Sequence, residues 1–118
     1  MMKWLVFILS AFFSTAAPAA EFLSAFEDIP LMDGLREEEA MSFDTDDVRI
    51  IEQFVSSSEV SAREFISFYA RAMPSLGWKR VASTETWISF RREDESLSIK
   101  VESSDPLVAS FNLKPWGK

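Results

Sequence analysis

The chain contains no cysteine and no histidine. The first absence removes any disulfide framework and any thiol nucleophile. The second removes the imidazole base, and together they remove zinc-finger-type clusters and haem ligation of the usual kinds. Glycine is scarce: Gly34, Gly77 and Gly117 stand far apart, so there is neither a glycine-rich phosphate loop nor a G-x-S-x-G elbow. No S-x-x-K is present to supply a lysine base. Basic residues are the minority, 12 against 19 acidic, for a formal charge of −7 over 118 residues. A general nucleic-acid binder needs a basic surface to displace counterions, so that class is set aside. What is abundant is apolar: 47% of residues are hydrophobic and 14% aromatic, too many for a disordered chain. The length suits one small domain, and no cofactor is implied.

The N-terminus has the order of a secretory leader. Lys3 supplies a positive start, Trp4 to Phe13 form an apolar run broken only by Ser10, and Ser14 to Ala20 are small residues ahead of the first acid, Glu21. Ala17-Pro18-Ala19 fits the cleavage pattern, giving a signal peptide over 1–19 with cleavage after Ala19, or after Ala20. The apolar run is short of the ~20 residues that span a bilayer, which argues against an uncleaved anchor. Without cysteine the leader is not of the lipoprotein type. The expected product is periplasmic or secreted and makes no membrane contact once cleaved. Cleavage would take one of the 12 bases and none of the 19 acids, leaving a still more acidic chain with no disulfides, which must hold by packing alone.

Residues 20–40 carry apolar side chains without sustained periodicity, among them Phe22, Leu23, Phe26, Ile29 and Leu31, with a turn at Asp33-Gly34. They are expected to form a tether docking on a domain spanning 41–118. Within the tether, Glu37-Glu38-Glu39 reads as a solvated charge run. Strands are expected over Ala40–Asp44 and Arg49–Ser56, around an Asp44-Thr45-Asp46-Asp47 turn. The second has apolar residues on both faces, Ile50 and Phe54 against Ile51 and Val55, which points to a central or covered position. One helix, about 61–76, is marked at both ends. Ser61-Ala62-Arg63-Glu64 is a capping box, and Gly77 is a left-handed terminator. Between them Phe65, Tyr69, Ala72 or Met73, and Leu76 recur at helical spacing. Beyond Gly77 the period becomes two. Trp78–Ala82, Thr86–Arg92, Leu97–Glu102 and Leu107–Leu113 read as strands separated by turn chemistry. The predicted fold is α+β: a two-layer sandwich in the order β-β-α-β-β-β-β, the helix lying on one antiparallel sheet.

The run Val60-Ser61 … Phe68-Tyr69 … Met73-Pro74-Ser75-Leu76-Gly77-Trp78 resembles a recurrent pattern in small exported proteins of Gram-negative bacteria, mostly alphaproteobacteria. So does Asp28-Ile29-Pro30-Leu31-Met32-Asp33-Gly34-Leu35 leading into Phe43-Asp44. These are proteins of uncharacterised function in which an "FY…LP.LGW" helix packs on an antiparallel sheet. The resemblance implies a fold and an envelope location; it rests on structural residues and carries no catalytic assignment.

Few residues point to chemistry. The Asp44–Asp47 cluster invites a calcium reading, but an EF-type loop starting at Asp44 needs an oxygen ligand, Gly and Glu where Val48, Arg49 and Val55 stand, so an acidic hairpin turn is expected and no metal site. Trp87, Arg91 and Lys100 fall on the predicted outward face of the sheet, with Arg92 nearby. Trp and Arg are favoured at binding surfaces, which makes these three the candidate contact residues. The expectation is a non-enzymatic accessory or interaction module whose partner is an envelope protein. Two rivals stand beside it: a carrier of small apolar ligands with a pocket lined by Phe65, Phe68, Tyr69 and Phe90, and a hydrolase using carboxylates alone. Trp116, just past the last strand, is expected to plug the end of the core.

Overall fold

A computed structural model describes residues 21–116; the leader expected over 1–19 lies outside the described residues. The elements run β1 (Arg36–Asp44), β2 (Arg49–Ser57), α1 (Ala62–Ala72) with a 3₁₀ turn (Met73–Leu76), β3 (Lys79–Ser83), β4 (Trp87–Arg92), β5 (Glu95–Ser104) and β6 (Leu107–Pro115). The strands form one antiparallel sheet in the order β1-β2-β6-β5-β4-β3. The last strand in the chain therefore lies inside the sheet, joining β1–β2 to the β3–β5 meander. This is the α+β arrangement read from the sequence.

The helix ends are set by local chemistry. Ser61 Oγ accepts from the Glu64 amide at 3.0 Å and the Glu64 carboxylate accepts from the Ser61 amide at 2.9 Å, which satisfies two of the orphan donors at the helix start. Ahead of the cap, the buried Ser57 hydroxyl accepts from the amides of Glu59 and Val60 at 3.0 and 2.9 Å, turning the chain out of β2. At the other end Gly77 has φ +94°, a conformation that costs other residues about 1–2 kcal/mol. Its amide donates to Pro74 O and the Trp78 amide to Met73 O, closing the last turn.

The apolar face of α1 lies on β6, β5 and β4. Phe65, Tyr69 and Met73 are fully buried, together with Ile88, Phe90, Leu97, Ile99, Ala109 and Phe111 from the sheet. Phe111, on the inner strand β6, is the hub: the Phe65 and Tyr69 rings meet it edge-on at 5.9 and 5.1 Å, and Phe26 does so at 6.4 Å. Each such side chain removed from water contributes about 1.5–3 kcal/mol.

Phe26 belongs to the segment that precedes β1, and that segment completes the core. Leu23, Phe26 and Ile29 are buried in a loop closed by Leu23 N–H to Ile29 O at 2.9 Å and Leu31 N–H to Glu21 O at 2.8 Å. Three side chains of the domain hold it. The Tyr69 hydroxyl donates to Pro30 O at 2.7 Å and accepts from the Met32 amide at 3.1 Å; burial pushes this hydroxyl's pKa well up, so it remains a donor. The Gln53 amide, fully buried on β2, accepts from the Ala25 amide and donates to Glu37 at 2.7 Å. Arg92 pairs with Asp28 at 2.7 Å, donates to Leu76 O at 3.1 Å and stacks over the Trp78 ring at 4.2 Å.

Two expectations are corrected and one is narrowed. First, β1 starts at Arg36 rather than Ala40 and includes the glutamate run. Glu37 is tied to Ser24 and Gln53, Glu38 accepts from Ser56 Oγ at 2.6 Å, and a bulge between Glu37 and Ala40 takes up the irregularity. Second, of the two positions expected for β2 the structure shows the central one, between β1 and β6, and not the covered one: Ile50 is 43% exposed and Phe54 half-buried. Third, Trp116 stays half-exposed, with the Arg91 guanidinium 4.5 Å above its ring, rather than closing the core.

Candidate functional site

Directly paired residues on neighbouring antiparallel strands share a face, so the ladder registers map the side of the sheet away from α1. Trp87, Lys100, Ser110 and Phe54 stand in one row across β4, β5, β6 and β2. Ser89, Ser98, Asn112, Glu52 and Met41 form the next row, extended to β1. Lys79, Arg91, Ser96 and Lys114 form the third.

The structure brings Trp87 and Lys100 together as direct cross-strand partners. Arg91 shares their face but sits four residues along β4, about 13 Å away at ~3.3 Å per residue, where it caps Trp116. Trp87 is half-buried; Arg91 and Lys100 are exposed. Arg92 points to the other side, into its contacts with Asp28, Leu76 and Trp78. Between the large side chains lies a strip of small polar ones. Ser89, Ser96 and Ser110 are buried beneath their taller neighbours, and Ser110 Oγ donates to Glu102 at 2.9 Å and accepts from Asn112 at 3.2 Å.

The other half of this face was missed in the sequence. Met41, Phe43 and Ile50 are 66, 58 and 43% exposed, with Phe54 and Glu52 among them. The signal was present as strict alternation in Met41-Ser42-Phe43.

At the open end of the sheet, Asp44 to Arg49, Asp94, Glu95, Pro115 and Trp116 line a concavity of about 810 Å³. The Asp44–Asp47 turn there is organised by Thr45, whose hydroxyl accepts from the amides of Asp47 and Val48. Arg49 pairs with Glu95 at 3.3 Å. Among the described residues no three acidic side chains converge as a metal site would require.

The chain matches no protein-family model, no curated protein and no solved structure. Function therefore has to be argued from the geometry of this chain alone. For the ligand-carrier reading, Phe65, Tyr69 and Phe90 are fully buried, and the first two close edge-on against Phe111, so the rings themselves occupy the layer between helix and sheet. For the hydrolase reading, Glu37 is engaged by three donors. Burial raises its pKa, but hydrogen bonds from the Ser24 hydroxyl, the Gln53 amide and the Ser24 backbone more than offset this and leave it below its ordinary value. Such an acid is held ionised, the opposite of what a proton donor needs. Among the described residues no helix is long and apolar enough to cross a membrane.

Proposed function

We propose that the protein is a non-enzymatic interaction module, exported to the bacterial envelope, that acts through the outer face of its sheet. The leader-like order of residues 1–20 supports export, as does the resemblance to small exported Gram-negative proteins. The observation that carries the reading is the Trp87–Lys100 pair on a face that α1 leaves open, in line with Arg91 and Lys79. A half-buried indole directly opposite one cation, with two more about 13 Å along the same face, fits a protein surface that offers an apolar side chain together with carboxylates. Trp and Arg are the residues that most often dominate such contacts, whereas Lys contributes orientation and encounter rate.

Fractionation of cells producing the full chain tests the location, and the reading requires the mature protein in the periplasm or the medium. Site-specific photocrosslinking in intact cells tests the surface. A crosslinker at position 87 should give discrete protein adducts that weaken with Lys100→Glu, whereas one at Arg63, exposed on α1, should not. Equal adduct patterns at the two positions would remove the outer face from consideration.

A further inference from the structure

We infer that the outer face is occupied by a second copy of this chain, two sheets packing face to face about a two-fold axis. This rests on the reading that the face is a contact surface, and names its partner. The Trp87 half calls for apolar groups accompanied by carboxylates, and the opposite half of the same face supplies them: Met41, Phe43 and Ile50, all exposed, with Glu52 in their midst.

The strand order decides the geometry. In β1-β2-β6-β5-β4-β3 the two halves lie on either side of the β6–β5 seam. A two-fold axis parallel to the strands and above that seam lays β2 of one copy over β4 of the other. Phe54 then faces Trp87 of the second copy, and Glu52 comes between its Arg91 and Trp87. Each contact occurs twice, as an isologous interface requires. An axis across the strands would instead lay each strand on its own copy, and along the middle row it would set Glu52 on Glu52, which like-charge repulsion opposes. Along the seam Ser96, Ser98, Ser110 and Asn112 are small, allowing the ~10 Å approach of packed sheets.

Size and edges agree. Six strands at ~4.8 Å and about six residues at ~3.3 Å give a footprint of about 600 Å² before side-chain relief is counted. That approaches the ~800 Å² per partner of a standard interface. Edge-to-edge growth is blunted on both sides, by the bulge between Glu37 and Ala40 in β1 and that between Arg80 and Ala82 in β3.

The chain has no cysteine, so introduced thiols report without background. Phe54 and Trp87 lie three strands apart in one copy, about 14 Å, beyond the ~7 Å reach of a disulfide. The Phe54→Cys/Trp87→Cys double variant should therefore form a covalent dimer on mild oxidation, while neither single variant does so efficiently. Sedimentation of the unaltered exported chain should show a dimer that loosens with salt. Glu52→Arg should weaken it at least tenfold, the ion-pair contact being lost at both symmetry-related places, and adding Arg91→Glu should restore it. Both positions lie outside the core, and circular dichroism checks that the variants fold. A chain that stays monomeric at about 100 µM, with no bridge in the double variant, overturns the inference. If position 87 still gives adducts to another protein in cells, the contact face survives and only the second copy is refuted; if those adducts are absent too, both readings fall.

Discussion

Gln53 is a polar side chain with no exposed surface, set on the sheet face that otherwise buries Ile51 and Val55. It is there because the N-terminal segment brings an unpaired amide, Ala25 N–H, onto the sheet, and Glu37 needs a donor on the same side. Gln53→Leu keeps the volume and strands both partners. We expect a loss of about 1–3 kcal/mol in urea unfolding. Tyr69→Phe similarly leaves Pro30 O and Met32 N–H without their bonds, at a similar cost. The Glu37 carboxyl has its pKa lowered by folding, hydrogen bonding from Ser24 and Gln53 outweighing burial. Its contribution is thus complete above the ordinary carboxylate value and lost as pH falls through the folded one. Protection of the Ser24 and Ala25 amides, taken relative to the intrinsic exchange rate at each pH, should fall as pH is taken from about 5 to about 3. In Glu37→Gln that extra pH dependence should vanish. None of these bonds was legible in the sequence, because they join positions 13 to 39 residues apart and the segment they hold has no period.

At the scale of elements, most of the fold was readable. The helix announced both ends because its cap and terminator act within four residues, and β4, β5 and β6 announced their inward faces by alternation. Gly77→Ala should cost about 1–2 kcal/mol from φ alone, with Arg92 Cδ 3.3 Å from the added methyl. Ser61→Ala should cost about 0.5–2 kcal/mol. Thermal unfolding of the two variants measures both. Local signals failed where a tertiary partner changed the meaning of a residue. The glutamates of β1 look solvated until Ser24, Gln53 and Ser56 are set beside them. Of the candidate contacts, Trp87 and Lys100 share a face because parity along a strand is a sequence property. That they stand directly opposite depends on the two-residue turn at Glu93-Asp94, with Glu93 at φ +54°. Glu93→Gly should relieve that turn and stabilise the hairpin by about 0.5 kcal/mol.

Over the whole molecule the sheet has one side sealed by α1 and the N-terminal segment and one side open. That Glu52 and Arg91 share the open side was invisible in the sequence, since it depends on the registers of the three ladders between β2 and β4. The placing of β6 has a further consequence, for the order of assembly. A chain delivered end-first, from the ribosome or through a membrane channel, presents β1–β2 and then the β3–β5 meander as two ribbons with no shared hydrogen bonds. Phe111, the ring around which the interior is organised, arrives only with the closing strand. Until then Phe26, Phe65 and Tyr69 lack the ring they pack against, so the interior cannot close while the chain is still emerging. A version ending before Leu107 should show no cooperative melting, and folding should wait for the last dozen residues to emerge.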